Sequence, residues 1–103
     1  MEHKFDFLFK KQRLSVYQAQ YQFKTLYPQP ALMIQYEDGS LFAVISCCIP
    51  EYIELEEGEI LIKSWSENEE VVNFLRETSE KFSDTGRRVP TGHVEAEVWK
   101  MNF

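Results

Sequence analysis

Ala31-Leu32-Met33-Ile34-Gln35-Tyr36, then Glu37-Asp38-Gly39-Ser40, then Leu41-Phe42-Ala43-Val44-Ile45-Ser46-Cys47-Cys48 is the stretch that decides the fold. Two β-rich runs flank an Asp-Gly dipeptide, the pair favoured where a hairpin turn needs positive φ. Alternation is weak in the second run, which predicts a central strand covered on both faces. Pro50 ends it. Cys47 and Cys48 face opposite ways near its end and are expected to be packing residues.

Upstream, Phe5, Phe7 and Phe9 alternate with Asp6, Leu8 and Lys10, the period of a strand. Lys10 to Arg13 form a basic turn. A longer alternation follows, with Tyr17, Ala19, Tyr21, Phe23 and Thr25 on one face and Gln18, Gln20, Gln22 and Lys24 on the other. Leu14, Tyr17 and Tyr21 also fit helical spacing, but four successive polar positions at period two favour a half-buried strand. Pro28 and Pro30 end it.

Downstream, Gly58 turns a loop into a short strand over Glu59–Lys63. Ser66 with Glu69 three residues on is a capping box. Glu67, Glu69 and Glu70 suit the positive end of a helix, and Trp65 is placed to staple against its first turns. Val71, Phe74, Leu75, Thr78 and Phe82 make one helical face, predicting a helix over 67–82. Ser83-Asp84-Thr85-Gly86 and Val89-Pro90-Thr91-Gly92 are expected as turns. His93 to Met101 forms a last strand, with Val94, Ala96 and Val98 against Glu95, Glu97 and Trp99. The expected architecture is α+β: an antiparallel sheet of five to six strands with one main helix packed on one face.

The chain of 103 residues suits a single domain. Its 44% hydrophobic and 15% aromatic content argues against disorder. Residues 1–30 carry five Lys or Arg against two acids, whereas residues 31–103 carry six against fifteen, giving the net charge of −6. Basic N-terminal strands thus precede an acidic body. Such a body repels nucleic-acid phosphates and attracts basic protein surfaces. It also serves solubility alone. Two adjacent cysteines supply no disulfide framework, which suits a reducing cytoplasm. His3 and His93 lack the spacing of a metal site, and no cofactor is expected. No signal-peptide pattern or membrane-length apolar run is present.

Lys63-Ser64-Trp65-Ser66-Glu67-Asn68-Glu69, with Asp84-Thr85-Gly86-Arg87 and Val89-Pro90-Thr91-Gly92-His93-Val94-Glu95-Ala96, resembles a family of small uncharacterised proteins. That family belongs to plasmids, conjugative elements and phages of Gram-positive bacteria. The likeness covers residues 31 to 103. It departs at His93, where similar proteins tend to carry an aromatic, and at Ser46-Cys47-Cys48-Ile49, where they are more polar. The resemblance implies a cargo gene of a mobile element, a setting in which small acidic proteins often inhibit host defence nucleases.

The first candidate site is acidic: Glu51, Glu54, Glu56, Glu57 and Glu59, then Glu67, Glu69 and Glu70. Gathered on one surface, Glu54, Glu56, Glu57, Glu59, Glu67 and Glu70 would imitate a row of phosphates for a basic cleft. Capping alone also explains the last three. Trp65 and Asn68 fit a contact surface or, better, structural roles. Thr85-Gly86-Arg87-Arg88 could cradle an anion, but lacks phosphate-loop spacing, and Gly86 is better explained as a helix C-terminal cap. His93 beside Glu95 and Glu97 has no nucleophile near in sequence. The expected function is non-catalytic binding of a basic protein. Alternatives are nucleic-acid binding through Lys4, Lys10, Lys11, Arg13 and Lys24, or self-assembly through an edge strand.

Overall fold

A computed structural model describes residues 1–21, 29–49 and 54–103. The strands are β1 (Glu2–Phe9), β2 (Gln12–Gln20), β3 (Pro30–Tyr36), β4 (Leu41–Val44) and β5 (Glu59–Ile62). A 3-10 turn (Ser66–Asn68), helix α1 (Glu69–Thr78), β6 (Phe82–Thr91) and β7 (Val94–Met101) follow. The fold is α+β and antiparallel, but the expected single sheet of five to six strands is instead two. One is a four-stranded meander, β1-β2-β3-β4; the other is three-stranded, β5-β7-β6.

The two sheets are joined where the chain leaves β4. Ile45 N–H donates to Leu32 O in β3, at 3.1 Å. Lys63 N–H then donates to Ile45 O (2.8 Å) and Cys47 N–H to Leu61 O (3.1 Å). Ser46, which bridges to Ile62, is the hinge of this crossing. Its hydroxyl accepts from Leu32 N–H and lies 3.0 Å from the Tyr21 hydroxyl. The Leu41–Cys48 run is therefore no central strand. β4 is short, and Leu41 and Val44 are exposed. The Asp38-Gly39 turn forms as expected, with Gly39 at φ 88° and the Asp38 carboxylate accepting from Ser40 N–H.

Both sheets and α1 share one core. Phe9, Leu14, Val16, Leu32 and Ile34 from the meander meet Ile60, Ile62, Val72, Leu75 and Trp99. Strands β1 and β2 are thus built into the body. Aromatic contacts close the space between β1 and β6: Phe5 meets Phe82 at 5.9 Å between ring centroids and Phe103 at 5.2 Å. Phe82 also meets Trp99 at 5.2 Å. A second cluster, Ile49, Leu61, Val89, Ala96 and Val98, is joined by Cys47, Leu55 and Trp65. Two strands are buried on both faces: β5, where Ile60 to Ile62 are all buried, and β7, where Ala96 to Trp99 are.

Four further expectations change. In β2 the buried side is Leu14 and Val16, while Tyr17 and Ala19 are only partly buried; the apolar residues nearest the β1–β2 turn set the face. Phe23 and Thr25 lie outside the described residues. The helix spans 69–78 rather than 67–82, because Ser79 is extended (φ −95°, ψ 130°) and Phe82 already begins β6. The capping box does not form: Ser66 has φ 61°, and no side chain caps either the 3-10 turn or α1. Finally, the stretch expected as two turns is the strand β6. Its register slips between Asp84 and Arg88, so Thr85, Gly86 and Arg87 form a bulge with Gly86 at φ 83°. Gly86 is therefore not a helix cap.

Candidate functional site

The acids split into two patches. Residues 54–58 fold as a turn on the start of β5. Glu59 N–H donates to Glu56 O (3.0 Å), and Met101 N–H to Gly58 O (2.7 Å). Cations hold this turn by its backbone: Arg87 Nη1 donates to Glu54 O (2.7 Å) and Lys100 Nζ to Glu57 O (3.3 Å). Their hydrogen bonds go to carbonyls, leaving the carboxylates of Glu54, Glu56 and Glu57 on the exposed rim. Among the described ion pairs only Glu59 of this patch is engaged, at 4.0 Å from Arg87.

Glu67 and Glu70 lie elsewhere. Glu67 accepts from Lys63 Nζ at 2.9 Å, and that bond lowers its pKa to about 2. Glu70 pairs with Lys10. Lys63 follows the last residue of β5 and Glu59 is its first, so roughly 13 Å of strand separates the patches. The expected single row of six carboxylates does not form. Glu51 lies outside the described residues.

Two grooves border the first patch. The larger, of about 740 Å³, has Glu56, Glu57 and Glu59 on one lip and Gln18, Gln20 and the paired Glu2 and Lys4 across it. Its apolar surface comes from Ala19, Pro30, Leu55, Met101 and Phe103. The smaller, of about 490 Å³, lies between Glu54, Glu56, Glu59, Thr85 and Arg87.

The other candidates are taken up internally. Asn68 is buried, and its amide donates to Val44 O (2.7 Å) and Lys63 O (3.1 Å). It ties the helix start to β4 and β5. Trp65 packs in the second core cluster. Around Gly86 the backbone donors are occupied: Gly86 N–H by the Asp84 carboxylate (2.9 Å) and Arg87 N–H by Thr85 Oγ1 (3.2 Å). Arg88 forks onto Asp84 with two bonds of 2.9 Å. In the N-terminal strands Lys4 pairs with Glu2, Lys10 with Glu70 and Arg13 with Asp6; Lys24 lies outside the described residues. Burial pushes the Cys47 thiol up to about 11, which fits its packing role.

His93, Glu95 and Glu97 do not form a unit. His93 lies exposed in the β6–β7 turn and Glu95 is exposed, whereas Glu97 is buried. Arg76 Nη2 donates to both Glu97 oxygens (2.7 and 2.6 Å), and Trp99 Nε1 donates to one (3.0 Å). Burial pushes the Glu97 carboxyl up, but the hydrogen bonds from Arg76, Trp99 and Ser64 outweigh it and hold the pKa below the usual range. Asp84 lies 3.6 Å from Arg76, and Arg88 lies 3.7 Å from Glu97. Two cations thus face two carboxylates, tying α1 to β6 and β7. Sequence reasoning missed this cluster. The available signal was a carboxylate between Ala96 and Val98, in a strand with apolar residues on both faces.

Comparison with protein-family models, curated proteins and solved structures finds no match for this chain. Among the described residues, no helix is long and apolar enough to cross a membrane, and no group of His, Cys, Asp and Glu could hold a metal ion.

Proposed function

We propose that the chain is a non-catalytic binding protein that docks a basic protein surface on the acidic lip of the larger groove. The observation that carries this reading is the 54–59 turn. Arg87 and Lys100 bond its carbonyls. The exposed Glu56 and Glu57 line the larger groove beside its apolar residues, and the exposed Glu54 lines the smaller groove next to it. A basic loop with one apolar anchor matches both features: its Lys and Arg meet the lip, and the anchor enters between Leu55 and Met101. Interfaces of this kind combine a desolvated apolar centre with a polar rim.

The family resemblance extends the proposal to an accessory protein of a mobile element or phage, acting in the cytoplasm. Its partner is then a host defence or nucleic-acid-processing enzyme whose basic cleft it occludes. Glu67 and Glu70, already paired with lysines, are given no role in docking.

The test is capture of partners from the bacterial host at low salt, followed by a salt step and mass spectrometry. One basic nucleic-acid enzyme should be recovered, released by salt, and lost when Glu54, Glu56 and Glu57 are all changed to Gln. Capture that ignores both salt and the triple substitution would sink the proposal.

A further inference from the structure

Among the described residues β1 is an open pairing edge, and the hairpin it belongs to shows which of its backbone groups point away from β2. Lys10 and Lys11 form a two-residue loop with φ 52° and 64°. In such a loop the flanking residues, here Phe9 and Gln12, exchange both backbone hydrogen bonds. Counting back along the register, Phe7–Leu14 and Phe5–Val16 are also hydrogen-bonded pairs, whereas Leu8–Arg13 and Asp6–Ser15 are not. The N–H and C=O of Asp6 and Leu8 therefore point away from β2. Among the described residues β1 pairs only with β2, and no backbone hydrogen bond made outside the strands reaches it. A groove of about 450 Å³ runs beside this edge, between Asp6 and Leu8 on one side and Phe74, Thr78 and Lys81 on the other.

The other long edge is blunted. β6 carries the Thr85–Arg87 bulge and Pro90, which has no N–H to offer, both recognised devices against edge pairing. β1 has an irregularity only between His3 and Phe5. From Phe5 to Phe9 its edge is regular, and it displays Leu8 with 68% of its surface exposed.

We propose that β1 pairs antiparallel with β1 of a second copy of this chain, about a two-fold axis at Leu8. The meanders of the two copies then join into one continuous sheet. Charge selects this register from the three that engage Asp6 and Leu8. A two-fold at Asp6 sets two carboxylates directly opposite. A two-fold at Phe7 sets Lys4 opposite Lys10 at both ends. With the two-fold at Leu8, Asp6 comes next to the Lys10 turn of the other copy at both ends, and the two Leu8 side chains cover one another. Arg13 already pairs Asp6 within its own chain, and Lys10 exchanges Glu70 for it. On the inner side Phe7 lies opposite Phe9 of the other copy, an aromatic cross-strand pair.

The test is sedimentation equilibrium on the full chain from micromolar to near-millimolar concentration. The chain should dimerise. Leu8→Lys, which sets two like charges on the axis, should weaken association about tenfold or more with an unchanged circular dichroism spectrum. Leu8→Cys should form a disulfide-linked dimer under mild oxidation, because directly opposite residues of a hydrogen-bonded pair lie about 5.5 Å apart, within disulfide reach. The unsubstituted chain, with Cys47 and Cys48 present, should stay unlinked. A monomer throughout the range, a dimer indifferent to Leu8→Lys, or a Leu8→Cys chain that fails to link would overturn the proposal.

Discussion

Replacing Glu97 by Gln keeps the shape of a buried side chain and removes the charge that Arg76 forks onto. Hydrogen bonds to charged groups contribute about 1.5–3 kcal/mol each, and breaking a fully buried pair costs about 3–5 kcal/mol. Both figures need discounting, because the Arg76 side chain is 29% exposed and water can replace part of what it loses. Arg76 also keeps Asn73 as an acceptor and Asp84 nearby. The expected loss at neutral pH is therefore about 2 kcal/mol, or roughly 8–16 °C in Tm for a domain of this size. Urea unfolding followed by tryptophan fluorescence measures it, since Trp99 is buried and bonded to Glu97. The pH dependence has a definite sign. The folded pKa of Glu97 is lowered, so its contribution is complete above the unfolded value, about 4, and is lost as pH falls through the folded one. The gap between the two proteins should close on acidification through that window. A gap under about 0.5 kcal/mol at neutral pH, the scale of an ordinary surface substitution, would refute the view that this cluster ties the helix to the sheet.

Other substitutions separate backbone from side-chain effects. Gly86→Ala places a methyl in open space but at φ 83°, so it should cost about 1–2 kcal/mol through backbone strain alone; thermal denaturation with no drop in Tm would show that the bulge relaxes freely. Asn68→Asp sets a carboxylate against the carbonyls of Val44 and Lys63, which raises its folded pKa. Its deficit relative to the native chain should grow as pH rises above about 4, and urea midpoints that show a constant deficit would reject that geometry. Leu75→Ala should cost about 2–5 kcal/mol by the same assay, because Leu75 is fully buried between α1 and both sheets.

The elements legible in the sequence were those fixed by local chemistry. Asp38-Gly39 supplied positive φ for its turn, and Phe5, Phe7 and Phe9 kept strict alternation in β1. What stayed illegible depended on partners distant in sequence. The even face of β2 begins with Leu14 and Val16 but continues as Gln18 and Gln20, so the window after Val16 pointed to the wrong side. Phe82 has helical spacing from Phe74 and Thr78, yet rings from β1, β7 and the C-terminus surround it. That tertiary packing fits the early helix end at Thr78. Ser66 and Glu69 satisfied the capping pattern, but buried Asn68 bonds to Val44 and Lys63 instead and anchors the turn ahead of the helix.

The candidate site shows the same division between local and distant causes. Counting acids along the chain could not tell a carboxylate with a cation from one without. That difference is set by Lys63 four residues before Glu67, by Lys10 in the β1–β2 turn against Glu70 in α1, and by where Arg87 and Lys100 point. The last two matter most. Had Arg87 and Lys100 met the carboxylates of Glu54 and Glu57, the 54–59 turn would be a neutral surface network. Because their hydrogen bonds go to the carbonyls, positive charge orders the backbone while the acidic side chains stay exposed. A backbone held by these hydrogen bonds leaves less to order when exposed carboxylates meet a basic surface, which is why the proposed docking rests on this turn and not on the larger number of acids in the body.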